Sequence, residues 1–386
     1  MDTTEFIYLD HAAATPMSDA VLLAMQPYFT QSFYNPSSPY APAITVRQVL
    51  ADARHRLAMA IGGQRDDVII TAGATESINL AMTAADGGHV VTTAMEHDAV
   101  LAAARQYDHT VVTVKPTGVV DVDAIVVAIT DQTTLVSVGL ANNELGTIQP
   151  LREIAGRLEA IRQTRLSRGD HTPLWLHTDA SQGAGQLDIN LARLGVDLLT
   201  LNAGKMYGPK QMALLWRRPG VSLRPIIYGG GQEMGLRSGT ENVAGVIGFA
   251  TALERAEKSR SSETKRLMTL RDRLQRHLEE TFPGMIVTSR GQKRLAGHLH
   301  VSFPGLDAER LVFRLEARGV LVATGSACAA NKNTRSHVLE AIGCEPAVAD
   351  GSLRLTLGKL STDENTAQAA DIICEEVMAE YKRIRL

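Results

Sequence analysis

The 386-residue sequence holds only three cysteines, Cys328, Cys344 and Cys374. An odd, widely spaced set excludes a disulfide framework, and no spacing matches a zinc ribbon, so no metal centre is expected. Charge of one sign is also lacking. Lys plus Arg totals 39 against 42 for Asp plus Glu, a net charge of −3. That balance argues against nucleic acid or an anionic membrane as a partner held by bulk charge. No apolar run approaches the ~20 residues that cross a bilayer, and residues 1–5 show neither the basic start nor the apolar stretch of a signal peptide. A cytoplasmic protein is expected. Two nucleotide signatures are missing as well. Gly183-Ala184-Gly185 lacks the third glycine of a dinucleotide fingerprint, and Gly204-Lys205 continues into Met206, unlike a phosphate-binding P-loop. Internal repeats, heptads and low-complexity tracts are absent too.

What the sequence does contain is a series of short apolar runs at 67–71, 89–93, 110–114, 134–140, 174–178, 196–201 and 212–216. They are β-branched or Leu-rich with little polar alternation, as strands covered on both faces are. Helix-length segments separate them. The pattern predicts an α/β protein whose large domain, residues 15–251, carries one seven-stranded, mainly parallel sheet. A Gly-rich connection over 218–242 leads to a long charged helix, about 241–282, with an interruption expected near Lys258–Ser262. Shorter strands at 285–288, 298–303, 320–323 and 352–356 alternate with helices at 307–318, 334–342 and 362–383. This pattern predicts a smaller α+β domain formed by residues 252–386 together with 1–14.

Polar residues gather after the predicted strands of the large sheet, where open α/β sheets place ligands. Thr71-Ala72-Gly73-Ala74-Thr75 opens a helix whose N–H groups can meet an anion. Glu96-His97, Asp179 with Ser181 and Gln182, and Asn202-Ala203-Gly204-Lys205 end successive strands. Singly, each has a structural explanation as a cap, a hydrogen-bonder or a loop lysine. Jointly, an anion cup, a ring for stacking, a carboxylate and an imine-forming amine meet the needs of pyridoxal phosphate. In the small domain, Cys328 lies among small residues, 324–333, that give it little to pack against, so an accessible thiol is expected. At an ordinary pKa of about 8.5 it needs activation to act as a thiolate. Arg354 shares a strand face with Ser352 and Thr356, away from the leucines, where a guanidinium can hold a carboxylate bidentately.

These residues resemble the cysteine desulfurases of the class V, aminotransferase-fold family dependent on pyridoxal phosphate. The likeness runs nearly end to end: Tyr8-Leu9-Asp10-His11-Ala12-Ala13-Ala14-Thr15-Pro16, Asn35-Pro36-Ser37-Ser38, Gly73-Ala74-Thr75-Glu76-Ser77, Glu96-His97, Asn142-Asn143-Glu144-Leu145-Gly146, Asp179-Ala180-Ser181-Gln182, Lys205-Met206-Tyr207-Gly208-Pro209-Lys210, Arg237-Ser238-Gly239-Thr240 and Gly325-Ser326-Ala327-Cys328. The stretch around Cys328 is similar to the iron–sulfur-cluster and nitrogen-fixation branch. The resemblance implies the type I fold of pyridoxal phosphate transferases. It makes Lys205 the Schiff-base lysine, His97 the residue stacked on the ring, and Asp179 the partner of the ring nitrogen. Gln182 and Asn143 would bond the ring's phenolic oxygen or the substrate. Ala74 and Thr75 would hold the phosphate, with Asn202 nearby and Thr240 from the partner of a homodimer. Arg354 would take the carboxylate of L-cysteine, and Cys328 would accept its sulfur as a persulfide. The product would be L-alanine, and the sulfur would pass to an acceptor such as a cluster scaffold or a thiolation enzyme.

Two positions depart from the family's pattern. Asn202-Ala203-Gly204-Lys205 stands where the family usually reads Ser-x-His-Lys, which leaves only a backbone N–H at Gly204 for the phosphate and implies altered anchoring. Tyr40 stands where a His is common. Competing readings are a selenocysteine lyase or aminotransferase of the same fold, against which the Cys328 stretch argues, and a non-catalytic scaffold. The joint presence of Lys205, Asp179, His97 and Cys328 argues against the scaffold.

Overall fold

All seven apolar runs become neighbouring strands of one sheet; the inner strands are buried along nearly their whole length, and the edge strand His109–Val112 is partly exposed. The computed structural model describes residues 6–325 and 335–384; Cys328 lies outside the described residues. In chain order the strands are β1 (Ile7–Tyr8), β2 (Val68–Thr71), β3 (His89–Thr93), β4 (His109–Val112), β5 (Thr133–Ser137), β6 (Trp175–Asp179), β7 (Leu198–Asn202), β8 (Ala213–Arg217), β9 (Ile286–Val287), β10 (His298–Ser302), β11 (Val320–Leu321) and β12 (Ser352–Thr356). The large sheet runs β2-β8-β7-β6-β5-β3-β4. Only β8 runs against the rest, pairing antiparallel with both β2 and β7. The other six strands therefore end along the same edge, and the segments that follow β2, β3, β5, β6 and β7 converge there.

A second hydrophobic cluster surrounds the three-stranded sheet β12-β10-β9. Leu299 and Val301 of β10 face it together with Leu353 and Leu355 of β12, an alternation that fixes the register. Leu9 joins this cluster, and β1 pairs in parallel with β11. The N-terminal strand thus packs with the C-terminal residues, more than three hundred positions away.

The helix Val243–Thr281 links the two clusters. Val243 to Ala256 pack on the large sheet, and Leu267, Leu270, Leu274 and Leu278 pack on the small one. The interruption expected near Lys258–Ser262 does not occur. Ser259 and Ser262 turn their hydroxyls back onto the carbonyls of Arg255 and Ser259 at 2.9 Å each, inside the unbroken helix. Arg260 also pairs with Glu257 one turn earlier, at 3.0 Å. An interior place is the usual one for a cysteine outside an active site; Cys374 is buried, and Cys344 departs from this in being only half-buried.

Candidate active site

The converging strand ends enclose a cavity of about 400 Å³. Ala74, Thr75, His97, Asn143, Asp179, Gln182, Asn202, Lys205 and Arg354 all line it. Thr240 does not; it is exposed elsewhere on the chain.

After β2 the chain enters the helix Ala74–Met82, whose cap, Gly73, makes no side-chain hydrogen bond to the helix. The first-turn N–H groups have no acceptor within the helix and open on the cavity. Thr71 and Ser77 fix this turn through a 2.6 Å hydroxyl contact, and Glu76 accepts from Ala72 N at 3.0 Å and Arg237 Nε at 2.9 Å. After β3, His97 caps the helix Asp98–Ala104, its Nδ1 accepting from Ala99 N at 3.1 Å. In the neutral ring that bond leaves the proton on Nε2.

Asp179 is the last residue of β6, and its Oδ1 accepts from Ser181 N at 2.9 Å. Beneath it, buried His177 bonds Ser137 Oγ (2.8 Å) and Thr200 Oγ1 (3.0 Å). Burial lowers the His177 pKa to about 4, against the pull of Asp179, so this imidazole is neutral. Gln182 Nε2 donates to Ala12 O at 3.0 Å. Lys205 Nζ donates to the same carbonyl at 2.8 Å and to Ala13 O at 2.7 Å. The N-terminal segment is thereby tied to the lysine.

Gly204 differs from the sequence-based expectation. Its N–H is taken by Asn202 Oδ1 at 2.9 Å, and its carbonyl accepts from Thr15 Oγ1 at 3.0 Å. The backbone N–H counted as a phosphate donor is therefore engaged. A Cβ at 204 would stand 3.3 Å from Asn202 Oδ1, so the small residue and the Asn side chain suit each other.

Arg354 is buried, with Nη2 bonded to Asp10 Oδ1 at 2.6 Å and Nη1 to Asn143 O at 3.3 Å. Its Nε has no hydrogen-bond partner among the described residues. The strand-face reading of Ser352, Arg354 and Thr356 holds, but that face is as buried as the leucine face.

Sequence reasoning assigned no role to four side chains here: Asp10, Glu96, Glu144 and His337. Asp10, Glu96 and Glu144 lay inside quoted motifs, but nothing in their immediate neighbours marked them. The pairing of Asp10 with Arg354 spans 344 positions and left no local trace. Glu96 accepts from Thr93 Oγ1 (2.7 Å) and Gly139 N (2.9 Å). Burial raises its pKa to about 7, and nearby Asp179 pushes the same way. A carboxyl raised in the folded state stabilises the fold at low pH and loses that contribution as pH rises from the unfolded value through about 7. Glu96→Gln keeps the acceptor and cannot ionise. It should remove a decline in stability of up to roughly 3 kcal/mol across that window, read as urea midpoints at pH 5 and pH 8.

The aminotransferase class-V family profile matches residues 7–368. The chain belongs to this family. Among its class-V relatives, the cysteine desulfurase IscS 1 of Archaeoglobus fulgidus is 38% identical over 380 residues, spanning 95% of each chain. A solved NifS-like protein superposes with a TM-score of 0.87 at 32% identity, over 97% of this chain and 100% of its own. SspA, solved in complex with cysteine, gives 0.77 at 30% identity, over 91% and 98%. Among the described residues of this class-V chain, no helix is long and apolar enough to cross a membrane.

Proposed function

We propose that the chain is a cysteine desulfurase that uses pyridoxal phosphate to convert L-cysteine to L-alanine and to leave a persulfide on Cys328. The observation that carries this reading is the meeting of Lys205, Asp179, His97 and the Ala74–Thr75 turn on one cavity, in a chain whose relatives are cysteine desulfurases. These residues suit the cofactor. The first-turn N–H groups can take a phosphate, Asp179 can face a ring nitrogen, and the Lys205 amine reaches the cavity floor. Asn202 and Gly204 depart from the pattern without closing that space. When bound, pyridoxal phosphate supplies an electron sink for the substrate's α-carbon.

The chain's own groups do the rest. Arg354, held by Asp10, binds the substrate carboxylate, and Asn143 and Gln182 orient polar groups at the ring. Lys205 Nζ and His97 Nε2 carry protons within the cavity. The transfer balances without an external oxidant. The bond from substrate Cβ to sulfur breaks, a sulfur–sulfur bond forms on Cys328, and Cβ gains the hydrogen that makes alanine. Residues 15–251 form the cofactor domain, and 1–14 with 252–386 the second domain, with the boundary inside the helix Val243–Thr281. Thr240 serves the phosphate of a partner in a homodimer, and an acceptor protein removes the sulfur.

Incubation with L-cysteine should yield L-alanine and no keto acid; a keto acid as the main product would favour the aminotransferase reading. Arg354→Lys keeps the charge but loses the planar fork. It should raise the half-saturating L-cysteine concentration about tenfold with little change in cofactor affinity, measured by steady-state kinetics and cofactor titration.

A further inference from the structure

Both described flanks of residues 326–334 meet the same side chain, Glu144. On the C-terminal side, Ser336 Oγ donates to Glu144 Oε2 at 2.5 Å. On the N-terminal side, a Cβ placed on Gly325 would lie 2.8 Å from that same oxygen and 3.4 Å from Ser336 Cβ. A side chain at position 325 would therefore force the carboxylate or the chain to shift. Glu144 is 1% exposed and belongs to the cavity wall, where the turn after Asn142 holds it. Asn142 Oδ1 accepts from Glu144 N at 2.9 Å and Leu145 N at 2.8 Å. Burial pushes the Glu144 carboxyl above the usual range, while the Ser336 hydrogen bond, Arg354 and His337 draw it down.

The Ser336 hydroxyl also caps the helix His337–Ala341, accepting from Val338 N (3.2 Å) and Leu339 N (3.3 Å). His337 Nε2 adds a bond to Glu96 O at 2.9 Å. The helix start is thus fixed to the floor of the cavity at two points. Cys328 follows Gly325 by three residues and precedes Ser336 by eight.

We infer that Glu144 is a positioning residue for sulfur transfer: it is bonded to Ser336 and packed against Gly325, the described residues that flank the Cys328-bearing stretch. This role rests on the desulfurase reading. It predicts a split between substrate binding and persulfide formation, since Glu144 acts on the nucleophile's anchorage.

The test uses the full chain loaded with pyridoxal phosphate, with Glu144→Ala, Glu144→Gln, Gly325→Ala and the Gly325→Ala/Glu144→Ala pair. Glu144→Ala should keep the cofactor's visible band and its response to L-cysteine at an unchanged half-saturating concentration. Persulfide formation in a single turnover should slow at least tenfold, and amides 337–341 should lose hydrogen-exchange protection. Glu144→Gln, which still accepts from Ser336, should recover most of the rate. Gly325→Ala should reproduce the defect and add little in the double variant, the non-additivity expected of two residues acting through one contact. Three results would overturn the role: wild-type persulfide rates in Glu144→Ala, parallel loss of the L-cysteine response and persulfide, or effects that multiply in the double variant. A wild-type chain that forms no persulfide would overturn the desulfurase reading as well, whereas an unaffected Glu144→Ala beside an active wild type overturns the positioning role alone.

Discussion

Cys328→Ala should abolish persulfide formation and slow alanine release at least a hundredfold, while the visible absorption of the cofactor-loaded protein and its response to L-cysteine remain. The reasoning is positional. Arg354, Asn143, Gln182 and Lys205 line the cavity proposed to take the amino acid, so on this reading binding and proton movement do not require the Cys328 thiol. Sulfur removal does. A tethered thiol replaces a bimolecular attack by one of high effective concentration, and its loss leaves only solution thiols to do the work. The assay pairs a spectrum with alanine quantification. Alanine release at the wild-type rate from Cys328→Ala would mean that another group, or free thiol, accepts the sulfur. Cys374 is a poor substitute, being buried with its thiol pKa raised by that burial.

Lys205→Ala should have the larger effect on the cofactor itself. Its amine sits at the cavity floor, bonded to the carbonyls of Ala12 and Ala13, and it is the lysine assigned both to hold pyridoxal phosphate covalently and to move the substrate proton. Removing it should displace the visible band and lower alanine formation by about a thousandfold or more. Fold should survive, because small residues surround the site and the alanine leaves the turn Ala203–Lys205 intact. Circular dichroism of the variant, beside its absorption spectrum, separates loss of chemistry from loss of structure. A variant that keeps both the band and the activity would remove Lys205 from the mechanism.

Much of this architecture was legible locally. The seven strands showed as β-branched apolar runs because a sheet covered on both faces admits little else. Asp179, His97 and Lys205 were legible because each stands at the end of such a run, where parallel topology exposes side chains to a common edge. Long-range pairings left no such trace. Arg354 looked like a carboxylate clamp, but its pairing with Asp10 depends on β1 packing beside β11, at opposite ends of the chain. Glu144 meets Ser336 across 192 positions. The rotamer of Asn202 decided whether the Gly204 N–H was available, and sequence carries no rotamer. Similarly, the interruption expected near Lys258–Ser262 does not form, and the hydroxyls of Ser259 and Ser262 bond back to the helix.

The most direct test of the central claim is a single turnover of the pyridoxal-phosphate-loaded protein with L-cysteine, quenched and analysed by mass spectrometry for both alanine and the Cys328 peptide. The account predicts one alanine released for each chain that gains one sulfur atom, with that sulfur on Cys328. Alanine without added sulfur on Cys328, or a chain that binds the cofactor and returns L-cysteine unchanged, would contradict it.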